Sequence, residues 1–284
     1  MDGYFEGVRY YLESINVMVR SINMHIKRYN VGATKKVVCL HGFTGSSSTW
    51  EEVISFLPSS VEVLTIDLIG HGLTDKPSDT ARYHVDEQIE DLRAIFQQLE
   101  WTQFTLVGYS MGGRLALAYT AKYPVHTLIL ESSSPGLADA GERQKRKLSD
   151  ELLAERIRKE GVISFVDFWE DIALFQTQKK LSREKQLMIR KERLAQSAVG
   201  LSNSLKGFST GIQPSYWGVL NDLSIPVFLL AGELDLKFCA IAKRMQKELP
   251  NSQMEVVKDA GHAIHVEKPK IFATIIKKVI LEEE

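Results

Sequence analysis

Six short apolar runs rich in β-branched residues alternate with longer amphipathic stretches, and that alternation admits few folds. The runs occupy residues 36–40, 61–67, 104–108, 127–131, 226–232 and 254–258, each ending in polar or glycine-containing sequence. Near-continuous apolar runs of this length are the mark of strands buried on both faces, as in a parallel sheet covered by helices. Between them, 85–99 and 111–123 carry apolar residues at helical spacing, and 269–281 supplies a closing helix opened by Pro269. The spacing predicts an α/β chain with a mostly parallel central sheet flanked by helices. Residues before 35 fit two or three strands or a hairpin.

Residues 135–214 break the alternation. They are helical in period and rich in charge, with 15 Lys and Arg against 11 Asp and Glu. This stretch carries +4 and the remainder −5, so the net charge of −1 averages two unlike parts. The expected organisation is a core built from 1–134 and 215–284, with 135–214 inserted as a helical cap. The near-neutral total excludes a global pull towards nucleic acid or anionic lipid. No apolar run has membrane-spanning length, and the first twenty residues, with Asp2, Glu6, Arg9 and Glu13, lack the apolar stretch of a secretory signal. Cys39 lies inside an apolar run, 200 positions before Cys239, which fits neither a disulfide framework nor a cysteine zinc site. A cytoplasmic protein with neither nucleic-acid nor membrane partners is expected; oligomeric state is not written in these features.

Gly108-Tyr109-Ser110-Met111-Gly112 fits G-x-S-x-G and stands between an apolar strand and a helix, the context in which such a serine is pushed out over the sheet edge. Gly108 and Gly112 have no bulk to keep the two elements apart. Serine is a poor nucleophile or base at neutral pH, so the motif requires a histidine, and the histidine a carboxylate that fixes its tautomer. Asp235, after the fifth apolar run, and His262, after the sixth, appear in that order. His265 is the rival base; Glu233 and Asp259 are the rival carboxylates. Glu233 is nearer the strand end, and Asp259 is too close in sequence to hold His262 from the far side. An oxyanion needs two converging N–H donors. Met111, after the serine, supplies one; Phe43, in His41-Gly42-Phe43-Thr44-Gly45 after the first run, supplies the other, which leaves His41 a structural role.

Other patterns are bland. Gly70-His71-Gly72 lacks the third glycine of a dinucleotide fingerprint, there is no phosphate-binding loop, and the seven histidines make no H-E-x-x-H. No cofactor and no metal are expected. His71 and His84 read as loop hydrogen-bonders, and Tyr10-Tyr11 as packing.

Taken together, Leu40-His41-Gly42-Phe43-Thr44-Gly45-Ser46, Gly70-His71-Gly72, Gly108 to Arg114, Glu131-Ser132-Ser133-Ser134-Pro135-Gly136-Leu137, Gln213-Pro214-Ser215, Gly232 to Phe238 and Ala260-Gly261-His262 resemble the SHCHC synthase family of menaquinone biosynthesis. The likeness covers about residues 36–275. The serine and histidine motifs are common to the α/β-hydrolase superfamily; Arg114, the Ser-Pro-Gly-Leu segment, the Gln-Pro-Ser stretch and the pattern around Arg143, Trp169 and Arg193 point to this family. The resemblance implies an α/β-hydrolase fold and a lyase that expels pyruvate, with Ser110, His262 and Asp235 acting as a proton-transfer relay. It also implies a small-molecule tricarboxylate substrate. Arginine offers a planar fork for carboxylate, so Arg114, Arg143 and Arg193 are the candidate anchors, with Arg146 and Arg190 as nearby rivals. Tyr109 and Trp169 are the candidate aromatic walls. Residues 1–30 depart from the usual family start and look like a local elaboration.

Two other functions share these motifs. A true serine hydrolase, an esterase or C–C bond hydrolase, uses the same triad with water but does not need three arginines. A non-catalytic binding module on the same fold would be favoured by loss of Ser110, Asp235 or His262, and all three are present.

Overall fold

The computed structural model describes residues 2–5 and 8–281, with side chains from 12 to 280. The Tyr10-Tyr11 side chains therefore lie outside the described residues. Nine strands run in chain order as β1 (Asp2–Phe5), β2 (Val8–Val19), β3 (Ile22–Tyr29), β4 (Lys35–Leu40), β5 (Val61–Ile66), β6 (Thr105–Tyr109), β7 (Thr127–Glu131), β8 (Val227–Gly232) and β9 (Ser252–Val257). Among the described residues they form one sheet in the order β1-β2-β3-β5-β4-β6-β7-β8-β9. Pairing is antiparallel from β1 to β5 and parallel from β5 through β4 to β9. The six expected runs are the six parallel strands, within two residues at either end. The segment before 35 supplies three strands; β2 and β3 turn through Arg20 (φ 46°) and Ser21 (φ 67°), two left-handed residues whose twist suits a tight hairpin.

The sheet is covered on both faces. Along β6, Leu106 packs into one apolar layer with α2 (Val85–Gln98), α3 (Met111–Lys122) and α7 (Leu236–Glu248), whereas Val107 packs into the other with α1 (Glu51–Ser55) and α9 (Pro269–Leu281). Alternation along a strand buried from both sides is what the apolar runs encode. β4 has β5 on one side and β6 on the other, so the chain reverses its direction of winding there. Loops leaving the carboxyl ends of strands at such a switch open a crevice. The segments holding Phe43, Ser110, Asp235 and His262 all leave carboxyl ends of parallel strands.

Between β7 and β8 lie α4 (Ala140–Trp169), a 3₁₀ run at Ala173–Lys180, α5 (Arg183–Leu194) and α6 (Ala198–Phe208). Asp139, Ser182 and Ser197 cap α4, α5 and α6, each accepting a backbone N–H of the first turn, so local sequence sets these starts. α4 is broken at Gly161, where φ is 84° and ψ 173°. Ala154, Ile157, Phe165 and Val166 of α4 pack on Leu201 and Leu205 of α6, with Phe43 and Trp169 at the margin. α6 also rests backbone to backbone on the loop after β5: a Cβ on Gly200 would collide with the Gly70 carbonyl. No described helix is long and apolar enough to cross a membrane.

His41 and His71 sit together beneath these loops, with ring centroids 5.1 Å apart. His41 Nδ1 donates to the Gly42 carbonyl at 2.8 Å, and its Nε2 accepts the Leu68 N–H at 3.0 Å, stapling the loops after β4 and β5. This is the structural role expected of it. His71 bonds the Ile69 carbonyl through Nδ1 at 3.1 Å, as a loop hydrogen-bonder should. His84 precedes α2 and makes no side-chain capping bond there. Burial, with the neighbouring His41, pushes the His71 imidazole down to about 3.

Two tests follow from this packing. Leu106 is 0 % exposed in the middle of the sheet, so Leu106→Ala is expected to lower the unfolding free energy by about 2–5 kcal/mol in denaturant titration. His71, with its folded pKa below that of a free imidazole, makes the unfolded chain take up a proton on acidification before the folded chain does. Stability is then lost as pH falls from about 6.5 towards about 3. His71→Asn, which keeps a donor near Nδ1 but does not titrate, should give a shallower dependence of unfolding free energy on pH across that window.

Candidate active site

Ser110 stands at the turn from β6 into α3 with φ 50° and ψ −106°, a conformation costly for any residue with a Cβ. Its surroundings hold it there. A Cβ on Gly108 would meet the Gly113 backbone, and one on Gly112 would collide with the carbonyl oxygens of Leu40 and His41. The Ser110 N–H donates to the Glu131 carbonyl at 2.9 Å, and the Ser133 hydroxyl donates to the Ser110 carbonyl at 3.2 Å. Strand, turn and helix are thus clamped from both sides of the serine.

Ser110 Oγ lies 3.1 Å from His262 Nε2, and His262 Nδ1 lies 2.6 Å from Asp235 Oδ2. A carboxylate only accepts, so Nδ1 carries the ring proton and Nε2 is left to accept from the serine hydroxyl. Asp235 caps α7 through its other oxygen, which accepts the Phe238 N–H at 3.3 Å. The rivals are engaged elsewhere. Glu233 accepts the Asp259 N–H at 3.1 Å. His265 is buried on the far side of Tyr109, bonded to the Glu131 carboxylate at 2.9 Å through Nδ1 and to the Thr49 hydroxyl at 2.9 Å through Nε2. The Tyr109 ring lies between the two imidazoles, 5.3 Å from His262 and 4.6 Å from His265.

Met111 opens α3, so its N–H is one of the donors that a helix leaves without a partner of its own. Phe43 follows Gly42, whose missing side chain is filled by Tyr109: a Cβ there would come within 2.6 Å of the ring. Phe43, Met111, Ser110 and His262 line one cavity of about 430 Å³.

Arg114 lines the same cavity, one turn beyond the serine. Its guanidinium is held by neutral groups: the Gln213 side-chain oxygen, the Phe208 carbonyl at 3.0 Å and the Phe208 ring at 4.5 Å. Gln213 itself packs against Gly136, so the Gln-Pro-Ser and Ser-Pro-Gly-Leu segments meet beneath this one arginine. Burial, reinforced by the like charge of Arg146, lowers the Arg114 pKa. A buried cation with no carboxylate in direct contact favours the arrival of an anion.

Two expected anchors are placed elsewhere. Arg143 does not face this cavity; it donates to the Leu137 and Ala138 carbonyls, both at 2.8 Å, and closes the turn before α4. The rotation of α4 explains the difference. Glu142, Arg146, Asp150 and Leu153 follow one helical face and line the cavity, with Arg146 paired to Asp150 at 2.7 Å. Arg193 is buried behind Phe175, stacked on its ring at 4.6 Å and bonded to Gln178 at 2.9 Å, beside a smaller hollow of about 170 Å³. Arg190 pairs with Asp167 and Glu170. Tyr109 and Trp169 are cavity walls as expected, and the buried Trp169 Nε1 has no hydrogen-bond partner.

Two cations of the cavity were not singled out from sequence. Lys237 and Arg244 line it from α7, and the intervening Ile241 lies on the same face at i, i+4 and i+7. That spacing was the available signal. Among the described residues Arg114, Lys237 and Arg244 form no ion pair.

Residues 35–269 match the alpha/beta hydrolase fold family. The chain is 45% identical over 250 residues to a Bacillus subtilis (strain 168) protein provisionally named 2-succinyl-6-hydroxy-2,4-cyclohexadiene-1-carboxylate synthase, covering 87% of this chain and 91% of the relative. It is 30% identical to the synthase of that name from Enterobacter sp. (strain 638), over 86% of this chain and 91% of the other. The solved structure of MenH from S. aureus superposes with a TM-score of 0.88 at 38% identity, covering 91% of this chain and 98% of that one. With the Ser110–His262–Asp235 hydrogen bonds and the cation-lined cavity in place, these likenesses assign the chain: it belongs to the SHCHC synthase family of the α/β-hydrolase fold.

Proposed function

We propose that the protein is a lyase that eliminates pyruvate from 2-succinyl-5-enolpyruvyl-6-hydroxy-3-cyclohexene-1-carboxylate, giving 2-succinyl-6-hydroxy-2,4-cyclohexadiene-1-carboxylate in menaquinone biosynthesis. One observation carries the reading: the Ser110–His262–Asp235 relay opens into a cavity whose buried cation, Arg114, has no carboxylate of its own. On this reading residues 135–214 form a cap over a core made of 1–134 and 215–284, and the enzyme works in the cytoplasm without a cofactor.

The substrate has three carboxylates and an acidic ring C–H beside the succinyl ketone. Ser110 Oγ removes that proton as His262 Nε2 takes the serine's own, and Asp235 stabilises the imidazolium. Negative charge moves onto the ketone oxygen, between the N–H groups of Phe43 and Met111. The electron pair then returns through the ring, shifting the double bond and breaking the C–O bond to enolpyruvate. The proton held by the relay passes to the departing oxygen, and the enol becomes pyruvate. Neither water nor an acyl-enzyme takes part.

Arg114, Lys237 and Arg244 offer charge to the carboxylates, with Arg146 taking the place expected of Arg143. Arg193 acts indirectly, by backing Phe175. Tyr109 and Trp169 confine the ring, and the free Trp169 N–H is a further donor to substrate.

The test is release of pyruvate from the cyclohexene substrate, coupled to lactate dehydrogenase. Ser110→Ala should lower kcat by about 10³ or more while leaving substrate binding in place. Arg114→Met, which fills the space without the charge, should lower kcat/KM by about two orders of magnitude. Absence of pyruvate together with brisk cleavage of p-nitrophenyl esters would replace this reading with a serine hydrolase.

A further inference from the structure

The loop carrying His262 is tied to the segment between β7 and β8 through one carboxylate. Glu267 Oε2 accepts the N–H of Gly261, the residue before His262, at 2.8 Å. Its other oxygen, Oε1, accepts the hydroxyl of Thr177 at 2.9 Å, and Thr177 belongs to the 3₁₀ run at Ala173–Lys180. The earlier part of the loop is held differently, by Leu234 N–H on the Ala260 carbonyl at 2.9 Å and by Glu233 on the Asp259 N–H.

Gly261 records the same contact sterically. Its φ is outside the left-handed region, so the backbone there does not require glycine. A Cβ would nevertheless collide with Thr177 Oγ1 and come within 2.8 Å of its Cγ2. The glycine is needed because Thr177, and behind it Glu267 Oε1 at 2.9 Å from the Cβ position, sit on it. The 3₁₀ run also reaches His262 through Phe175, whose ring meets the imidazole edge-on at 6.2 Å. From the other side Arg193 of α5 secures the run, stacking on Phe175 and donating to Gln178.

We propose that Glu267 is a positioning residue for His262, and that Thr177 is the group through which the Ala173–Lys180 run, seated on the core, sets the imidazole against Ser110. The proposal rests on the role given above to His262. A hydroxyl bound to a carboxylate is a charge-assisted contact, and the carboxylate passes the constraint to the backbone next to the base. Small misplacements of a proton-transfer group are costly to rate. Losing the contact therefore acts on turnover and leaves the carboxylate anchors in the cavity intact.

The experiment compares Thr177→Val and Thr177→Ser with the full-length enzyme, using pyruvate release and thermal unfolding. Thr177→Val, which keeps the shape and removes the donor, should lower kcat about tenfold with KM and Tm unchanged. Thr177→Ser should restore kcat. Gly261→Ala should lose more turnover than Gly261→Ala/Thr177→Ala, because the second substitution removes the two nearest colliding atoms and leaves Glu267 Oε1, the far end of a flexible side chain, in the way. Wild-type kcat in Thr177→Val, or equal loss in the valine and serine variants, overturns the proposal. So does a double variant no better than Gly261→Ala alone. Ser110→Ala separates the two levels: pyruvate release by that variant defeats the catalytic reading itself, whereas an inactive Ser110→Ala beside a fully active Thr177→Val defeats the positioning role only.

Discussion

The site depends on one backbone-to-backbone approach, that of Gly112 to the carbonyl oxygens of Leu40 and His41. It brings the start of α3 against the end of β4 more closely than any side chain would allow. Ser110 and the N–H of Met111 belong to the first element; the Phe43 loop continues from the second. A single contact therefore sets the spacing between the Ser110 turn and the Phe43 loop. The unfavourable φ of Ser110 is held by this contact, by Gly108 against Gly113 and by the hydrogen bonds from Ser133 and to Glu131.

The second principle of the site is incomplete neutralisation. Towards one edge of the sheet, buried carboxylates are matched by arginines: Asp91 by Arg82 and Arg20, and Glu62 by Arg28. In the cavity Arg114 is carried by an amide and a carbonyl, which satisfy its N–H groups without cancelling its charge. Such an arrangement keeps the guanidinium oriented and leaves its field directed at whatever enters. An apolar ester gains nothing from such a field, whereas a carboxylate does.

The parallel sheet and the meeting of Ser110, Asp235 and His262 were legible because each is encoded locally, in apolar runs and in turns that demand glycine. Arg114 was legible because it is four residues from the serine on the same helix. The direction of Arg143 was not legible because it depends on the rotation of α4, which is fixed by Ala154 and Ile157 packing on α6; that of Arg193, on α5, depends on its contacts with Phe175 and Gln178. Lys237 and Arg244 were overlooked because charges on a helix ordinarily face solvent. The parts played by Glu131 and Glu267 were out of reach, since their partners His265 and Thr177 lie 134 and 90 positions away in the chain.

The break at Gly161 divides α4 into two pieces that meet the cavity separately. Arg146 is on the first and Trp169 ends the second, and nothing lies within 4 Å of where a Cβ on Gly161 would stand. The charged wall and the aromatic wall thus belong to two short rods joined at an uncrowded pivot. The spacing between the two walls is set within α4 and where its two pieces pack on α6, away from the strands beneath Ser110, Asp235 and His262.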